Sequence, residues 1–133
     1  MAGYSGTPLV QKLGVKPGFK MKIVNEPEGY WDWISPLPDD IISTAKSGLD
    51  FVHLFVTSRK KYETEVLKLR DKLKPDGMIW ISWPKKASKV ETDLDENIVR
   101  DFALKNNLVD IKVCAVSEVW SGLKLVIPVA LRK

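Results

Sequence analysis

Residues 51–56 form an unbroken apolar and aromatic run, Phe51-Val52-His53-Leu54-Phe55-Val56. Such a run reads as a strand buried on both faces of a parallel sheet. The period then changes. Tyr62, Val66, Leu69 and Leu73 recur at i, i+4, i+7 and i+11, which puts one apolar stripe on a helix, while Arg59, Lys60, Glu63 and Lys68 face water. Thr57 or Ser58 supplies the cap. Leu73-Lys74-Pro75-Asp76-Gly77 stops this helix and feeds a second buried strand at 78–83, Met78-Ile79-Trp80-Ile81-Ser82-Trp83.

On the amino-terminal side, Thr7-Pro8 and Gly14 bracket a short helix, with Thr7 as cap, Pro8 at the first helical position and Gly14 at the left-handed stop. Residues 19–25 read as a first strand. A short amphipathic segment with Tyr30, Trp31, Trp33 and Ile34 follows, closed by Pro36 and Pro38, and 39–44 form a short second strand. Beyond residue 83, Thr92 and Asp95 resemble a capping box ahead of a helix that buries Leu94, Ile98, Val99 and Phe102. The end of the chain is β-rich: 109–119 and 123–131 read as a hairpin turning at Trp120-Ser121-Gly122, with Pro128 favouring an edge position for the last strand. Strands alternating with helices and ending in a hairpin predict a single α/β domain. It is a three-layer, Rossmann-like sandwich whose mostly parallel sheet ends in an antiparallel carboxy-terminal hairpin.

Four blocks of this sequence resemble a bacterial family known only as domain of unknown function 3052: Tyr4-Ser5-Gly6-Thr7-Pro8-Leu9, Val52-His53-Leu54-Phe55-Val56, Ser82-Trp83-Pro84-Lys85-Lys86-Ala87-Ser88 and Trp120-Ser121-Gly122-Leu123-Lys124-Leu125-Val126. No activity comes with that resemblance. A more distant one is to class I methyltransferases, carried by Lys16-Pro17-Gly18 before the first strand, Leu73-Lys74-Pro75-Asp76-Gly77 before the strand at 78–83, and the terminal hairpin. It implies a methyltransferase-like fold in truncated form, since only about 25 residues separate the first strand from the run at 51–56. Function does not follow from fold.

The loop after the first strand departs from that family. Methyltransferases place several glycines there so that backbone approaches S-adenosylmethionine closely, the logic of dinucleotide turns. Here the loop is Asn25-Glu26-Pro27-Glu28-Gly29-Tyr30: one glycine, a proline without an N–H, and two acids. The acid expected for ribose hydroxyls after the second strand is missing from Ser43-Thr44-Ala45-Lys46. No cofactor is therefore expected.

Composition narrows the classes further. The 133 residues suffice for one core, and 44% hydrophobic with 29% charged residues is ordinary for a globular chain. Apolar runs fall short of the roughly 20 residues of a membrane helix, residues 1–4 carry no signal-like pattern, and the single Cys114 forms no internal disulfide. The expected location is cytoplasmic. One His and one Cys do not make a zinc site. A net charge of +4 is a mild bias, so nucleic acid is not an expected partner.

Ligands of open parallel sheets sit beyond the carboxyl ends of the strands. That rule collects Asn25 and Glu28 after the first strand, Ser58 and Arg59 at a helix start suited to anions, Ser82 with the loop of Lys85, Lys86 and Ser88, and Trp120 at the hairpin. His53 reads as a core histidine bonded to a neighbour. Trp31, Trp33, Trp83 and Trp120 flank the same rim, to stack on a ligand or to fill a vacant cofactor space. The leading expectation is a non-catalytic methyltransferase-like module binding a small anionic ligand or a protein partner. The alternatives are a divergent S-adenosylmethionine-dependent methyltransferase and a nucleic-acid-binding protein. Oligomeric state is left open.

Overall fold

The structure, a computed structural model, describes residues 7–132. Its elements are α1 (Leu9–Leu13), β1 (Met21–Val24), α2 (Tyr30–Trp33), β2 (Leu49–Phe55), α3 (Arg59–Asp71), β3 (Leu73–Pro84), α4 (Glu96–Lys105), β4 (Val109–Ala115) and β5 (Trp120–Val126), with 3-10 turns at Lys86–Ser88 and Val129–Leu131. The five strands form one sheet in the order β1-β2-β3-β5-β4. β1, β2 and β3 are parallel, and β5 runs antiparallel to both of its neighbours.

Alternation along the strands divides the interior in two. Val52, Leu54, Ile79, Ile81, Leu123 and Leu125 pack under α3 and α4 with Tyr62, Val66, Leu69 and Val99. Phe51, Phe55, Trp80, Met21 and Cys114 face the other way, under α1 and α2, with Val10, Leu13, Tyr30 and Ile34. The three-layer sandwich with its mixed sheet is thus the one the strand and helix periods predict.

Several local expectations are corrected. β5 begins at Trp120, so the hairpin turn lies before it, and Pro128 follows the strand rather than marking an edge. β5 is inserted between β3 and β4, which leaves β4 as the edge. Leu73 opens β3 instead of closing α3, because its partner is Leu49 of β2. The ladder is irregular between Leu49 and Phe51, and Gly77 sits against this irregularity, where a Cβ would lie 2.6 Å from the Leu49 carbonyl oxygen. Asp95 itself caps α4, accepting from Ile98 N at 2.8 Å, while the Thr92 hydroxyl donates to the Thr57 carbonyl at 2.6 Å. The segment at 39–44 contributes only an isolated parallel bridge, Lys20 to Ile42. The expected cap at Thr7 is replaced by Pro8 at that position, while Gly14 ends α1 in the left-handed conformation as expected.

That bridge sets the topology of the site. The chain leaves β1, packs α2 on one face, touches the outer side of β1 at Ile42, and returns through 43–48 to β2 on the inner side. The next helix, α3, lies on the opposite face. β1 and β2 therefore flank a topological switch point, where open α/β sheets form their ligand crevice.

Candidate functional site

Val24 stands opposite Leu54, Phe55 opposite Ser82, and Pro84 opposite Trp120, so the segments following β1, β2 and β3 and the start of β5 share one rim. Asn25 directly follows β1 with φ at +60°, a conformation that Asn tolerates better than most non-glycine residues. Its Nδ2 donates to the Phe55 carbonyl at 3.2 Å and ties the ends of β1 and β2 together. Glu28 is exposed beside Gly29, which caps α2 with φ at +86°. A Cβ on Gly29 would meet Trp33 Nε1 at 3.2 Å, so the one loop glycine faces an indole.

Beside Asn25 an open crevice of about 570 Å³ is lined by Val24, Asn25, Lys60, Lys61, Thr64 and Glu65. By sequence spacing Lys60 belongs to the water-facing side of α3, and Lys61, Thr64 and Glu65 carry no site signal of their own. One signal was available: Arg59-Lys60-Lys61 put cations in the first turn of α3 with no acid there, against the helix dipole. The structure relieves this from a distance, since Arg59 N donates to Asp93 Oδ1 at 2.6 Å. The chain's own carboxylate thus holds the helix start offered to an external anion at Ser58 and Arg59. Ser58 caps the helix by accepting from Lys61 N at 3.3 Å, and Arg59 Nε pairs with Glu63 at 3.1 Å.

Ser82 is not on the exposed rim. It is fully buried, its Oγ lies 2.8 Å from His53 Nε2, and His53 Nδ1 lies 2.9 Å from the Tyr30 hydroxyl. A neutral imidazole satisfies both hydroxyls, one ring nitrogen donating and the other accepting. Burial drives the His53 pKa down to about 3. Burial, with Glu26 nearby, holds the Tyr30 phenol far above its ordinary value. The expected core histidine is therefore a link from α2 through β2 to β3. Ser88 turns inward on its own loop, donating to the Lys85 carbonyl at 2.6 Å and accepting from Val90 N at 3.3 Å. Lys85 N donates to the Val119 carbonyl at 2.8 Å, while Lys86 opens an exposed 3-10 turn.

Of the rim tryptophans, Trp120 meets Phe55 edge-on at 5.1 Å and Trp33 meets Tyr30 at 6.2 Å. Trp31 is 42% exposed, with Nε1 3.4 Å from a Glu26 carboxylate oxygen. Trp83 is buried under the α3 and α4 side, away from this cluster. Among the described residues no group of three His, Cys, Asp or Glu is placed to hold a metal ion, and no helix is long and apolar enough to cross a membrane.

No family model matches this sequence and no curated protein matches it, so the likeness to domain of unknown function 3052 rests on the sequence blocks alone. Solved structures do match. A SAM-dependent methyltransferase from Aquifex aeolicus has a TM-score of 0.62 at 14% identity, covering 90% of this chain and 87% of its own. The DhpI–SAH complex also reaches 0.62, at 10% identity, with 89% and 81% covered. A SAM-dependent methyltransferase from Thiobacillus denitrificans in complex with S-adenosyl-L-homocysteine gives 0.59 at 9% identity, with 90% and 89% covered. The chain has the methyltransferase-like, Rossmann-like fold.

Proposed function

We propose that this chain is a divergent S-adenosylmethionine-binding protein of the methyltransferase fold, with the ligand at the β1–β2 switch point. The observation that carries this reading is the open crevice beside Asn25, which presents charges of both signs. The methionine end of S-adenosylmethionine bears an ammonium, a carboxylate and a sulfonium. Lys60 and Lys61 suit the carboxylate, and Glu65 of the same lining suits the cationic groups, with the exposed Glu26 and Glu28 in the adjoining loop after β1. Asn25 makes a left-handed turn that glycine would otherwise supply. These residues fit the charged amino-acid end. They do not rebuild a glycine cradle, because Trp33 lies against Gly29. When bound, the cofactor supplies an electrophilic methyl group. The chain's own part is to orient it, since His53 is neutral, buried and bonded on both sides, out of reach of a substrate proton.

A second reading, a non-catalytic module for a small anionic ligand or a protein partner, is favoured by one specific observation. Tyr30, Trp33, Phe55 and Trp120 pack together behind the first loop, where they fill space with side chains. A thermal-shift titration with S-adenosylmethionine and S-adenosylhomocysteine separates the two. Saturation at 100 times the dissociation constant adds about 2.7 kcal/mol and raises Tm by roughly 5–15 °C. Under the first reading that rise is lost in Asn25→Ala and Glu28→Ala. A flat response overturns it and leaves the second.

A further inference from the structure

At the opposite edge of the sheet the fold gathers lysines from three separate segments. Lys12 lies in α1, Lys16 just after it, Lys112 in β4 and Lys124 in β5. Lys112 and Lys124 are direct cross-strand partners, so two like charges start from adjacent positions of the ladder, an arrangement that costs stability. Lys112 Nζ donates to the Lys12 carbonyl at 3.0 Å. The Lys124 ammonium lies over the end of α1, 3.6 Å from where a Cβ of Gly14 would stand. Lys12 and Lys124 are half-buried. Among the described residues none of the four has an ion pair with an acid, whereas Lys68 pairs with Glu65, Lys74 with Asp50 and Asp76, and Arg100 with Glu96 and Asp110.

The ammonium groups of Lys112 and Lys124 both reach the carboxy-terminal end of α1, which carries Lys12 and has Lys16 just beyond it. Desolvation, then Lys112 and Lys16, lowers the Lys124 pKa below its ordinary value. The neighbouring Cys114 thiol, raised by burial, is pulled back by Lys12, Lys112 and Lys85 together. The α1 carbonyl held by Lys112 accounts for one lysine, and the other three have no acid paired with them among the described residues.

We propose that Lys12, Lys16, Lys112 and Lys124 form a binding site for a compact, multiply charged phosphate anion, separate from the switch-point crevice. Ammonium groups recognise phosphate as point charges without demanding a planar geometry. Four of them in one cluster, rather than along a stripe, suit an oligophosphate better than an extended polymer.

The test is the melting temperature of the whole chain in millimolar tripolyphosphate against sodium chloride of equal ionic strength. Tripolyphosphate is expected to raise Tm by about 3–8 °C beyond the salt control. Lys112→Gln and Lys124→Met each lose most of that rise, while their Tm without anion stays level or increases because one repulsive partner is gone. Lys60→Gln with Lys61→Gln keeps the rise, which separates this site from the crevice and from the fate of the S-adenosylmethionine reading. An equal rise in salt alone, a rise retained in Lys124→Met, or one lost with Lys60 and Lys61 overturns the proposal. So does tight binding of a fluorescent single-stranded RNA that tripolyphosphate fails to displace.

Discussion

The two faces of the sheet are covered by different means. One lies under α3 and α4, helices of 13 and 10 residues, and its interior is mostly aliphatic. The other lies under α1 and α2, only 5 and 4 residues long, too short to be stable without packing. There the interior is filled by Phe51, Phe55, Tyr30 and Trp80, and His53 and Ser82 are buried on that side. Even the helix position is set by polar bonds: Trp80 Nε1 donates to the Leu13 carbonyl at 2.8 Å, and His53 holds Tyr30. Where helices are short, large rings and hydrogen bonds do the covering. That face should respond to pH and to loss of single polar atoms, and the other mainly to loss of volume, its one buried side-chain bond among the described residues running between its own helices, from the Tyr62 hydroxyl to the Val99 carbonyl at 2.8 Å.

The largest expected effect is acid sensitivity through His53. Its folded pKa is about 3, against 6.5 unfolded, so between those values the unfolded chain binds the extra proton. Stability therefore rises with pH through this window, is fully gained above about pH 6.5, and is lost on acidification down to about pH 3. The upper bound is roughly 5 kcal/mol. Urea unfolding at pH 7 and pH 4 measures it. His53→Phe should be less stable at pH 7 yet show a flatter slope between the two. An unchanged slope breaks the comparison.

Next is Leu69→Ala under α3, which should cost about 3 kcal/mol. Leu69 is buried in an aliphatic setting, so the loss should be the same at pH 7 and pH 4. A pH-dependent loss there would mean the two faces are not independent. Smaller again is Tyr30→Phe, at about 1–2 kcal/mol, because it removes the hydroxyl bonded to His53 and leaves one ring nitrogen unpaired. Combining it with His53→Phe should give less than the sum of the two, and strict additivity would show that the bond carries nothing.

The aliphatic face was legible in the sequence and the polar one only partly. The run at 51–56 and the stripe Tyr62, Val66, Leu69 write burial directly into spacing, and α3 and β2 form where they say. His53 could be read as buried, but its partners are 23 and 29 residues away and no periodicity names them. The same holds for strand order. A hairpin is a local signal, whereas which of its two strands lies beside β3 and which forms the edge is a long-range choice, and Pro128 points to the wrong one. At the rim, the spacing rule gathered Asn25 and Glu28 but also Ser82, because strand alternation decides whether a hydroxyl at a strand end points out or in. Lys60, Lys61 and Thr64 were missed because a polar helix face reads as solvent until β1 is set beside it.

The smallest effect sits on the α3 side and concerns its first turn. Three consecutive cations, Arg59, Lys60 and Lys61, oppose the helix dipole, and Asp93 is the carboxylate that compensates them through Arg59 N. Asp93→Ala removes that bond but leaves Ser58 capping the helix, so the cost should be about 1 kcal/mol, and should shrink as salt screens the exposed charges. Chemical denaturation of wild type and variant in low and high salt reads both quantities. The substitution also frees the helix start for another anion. If added phosphate then restores the lost stability in Asp93→Ala and not in the wild type, Asp93 is the resident occupant of that position, and the start of α3 is held electrostatically as well as by volume. If the loss is unaffected by salt or phosphate, Asp93 acts only by fixing the loop that carries Thr92 onto the Thr57 carbonyl.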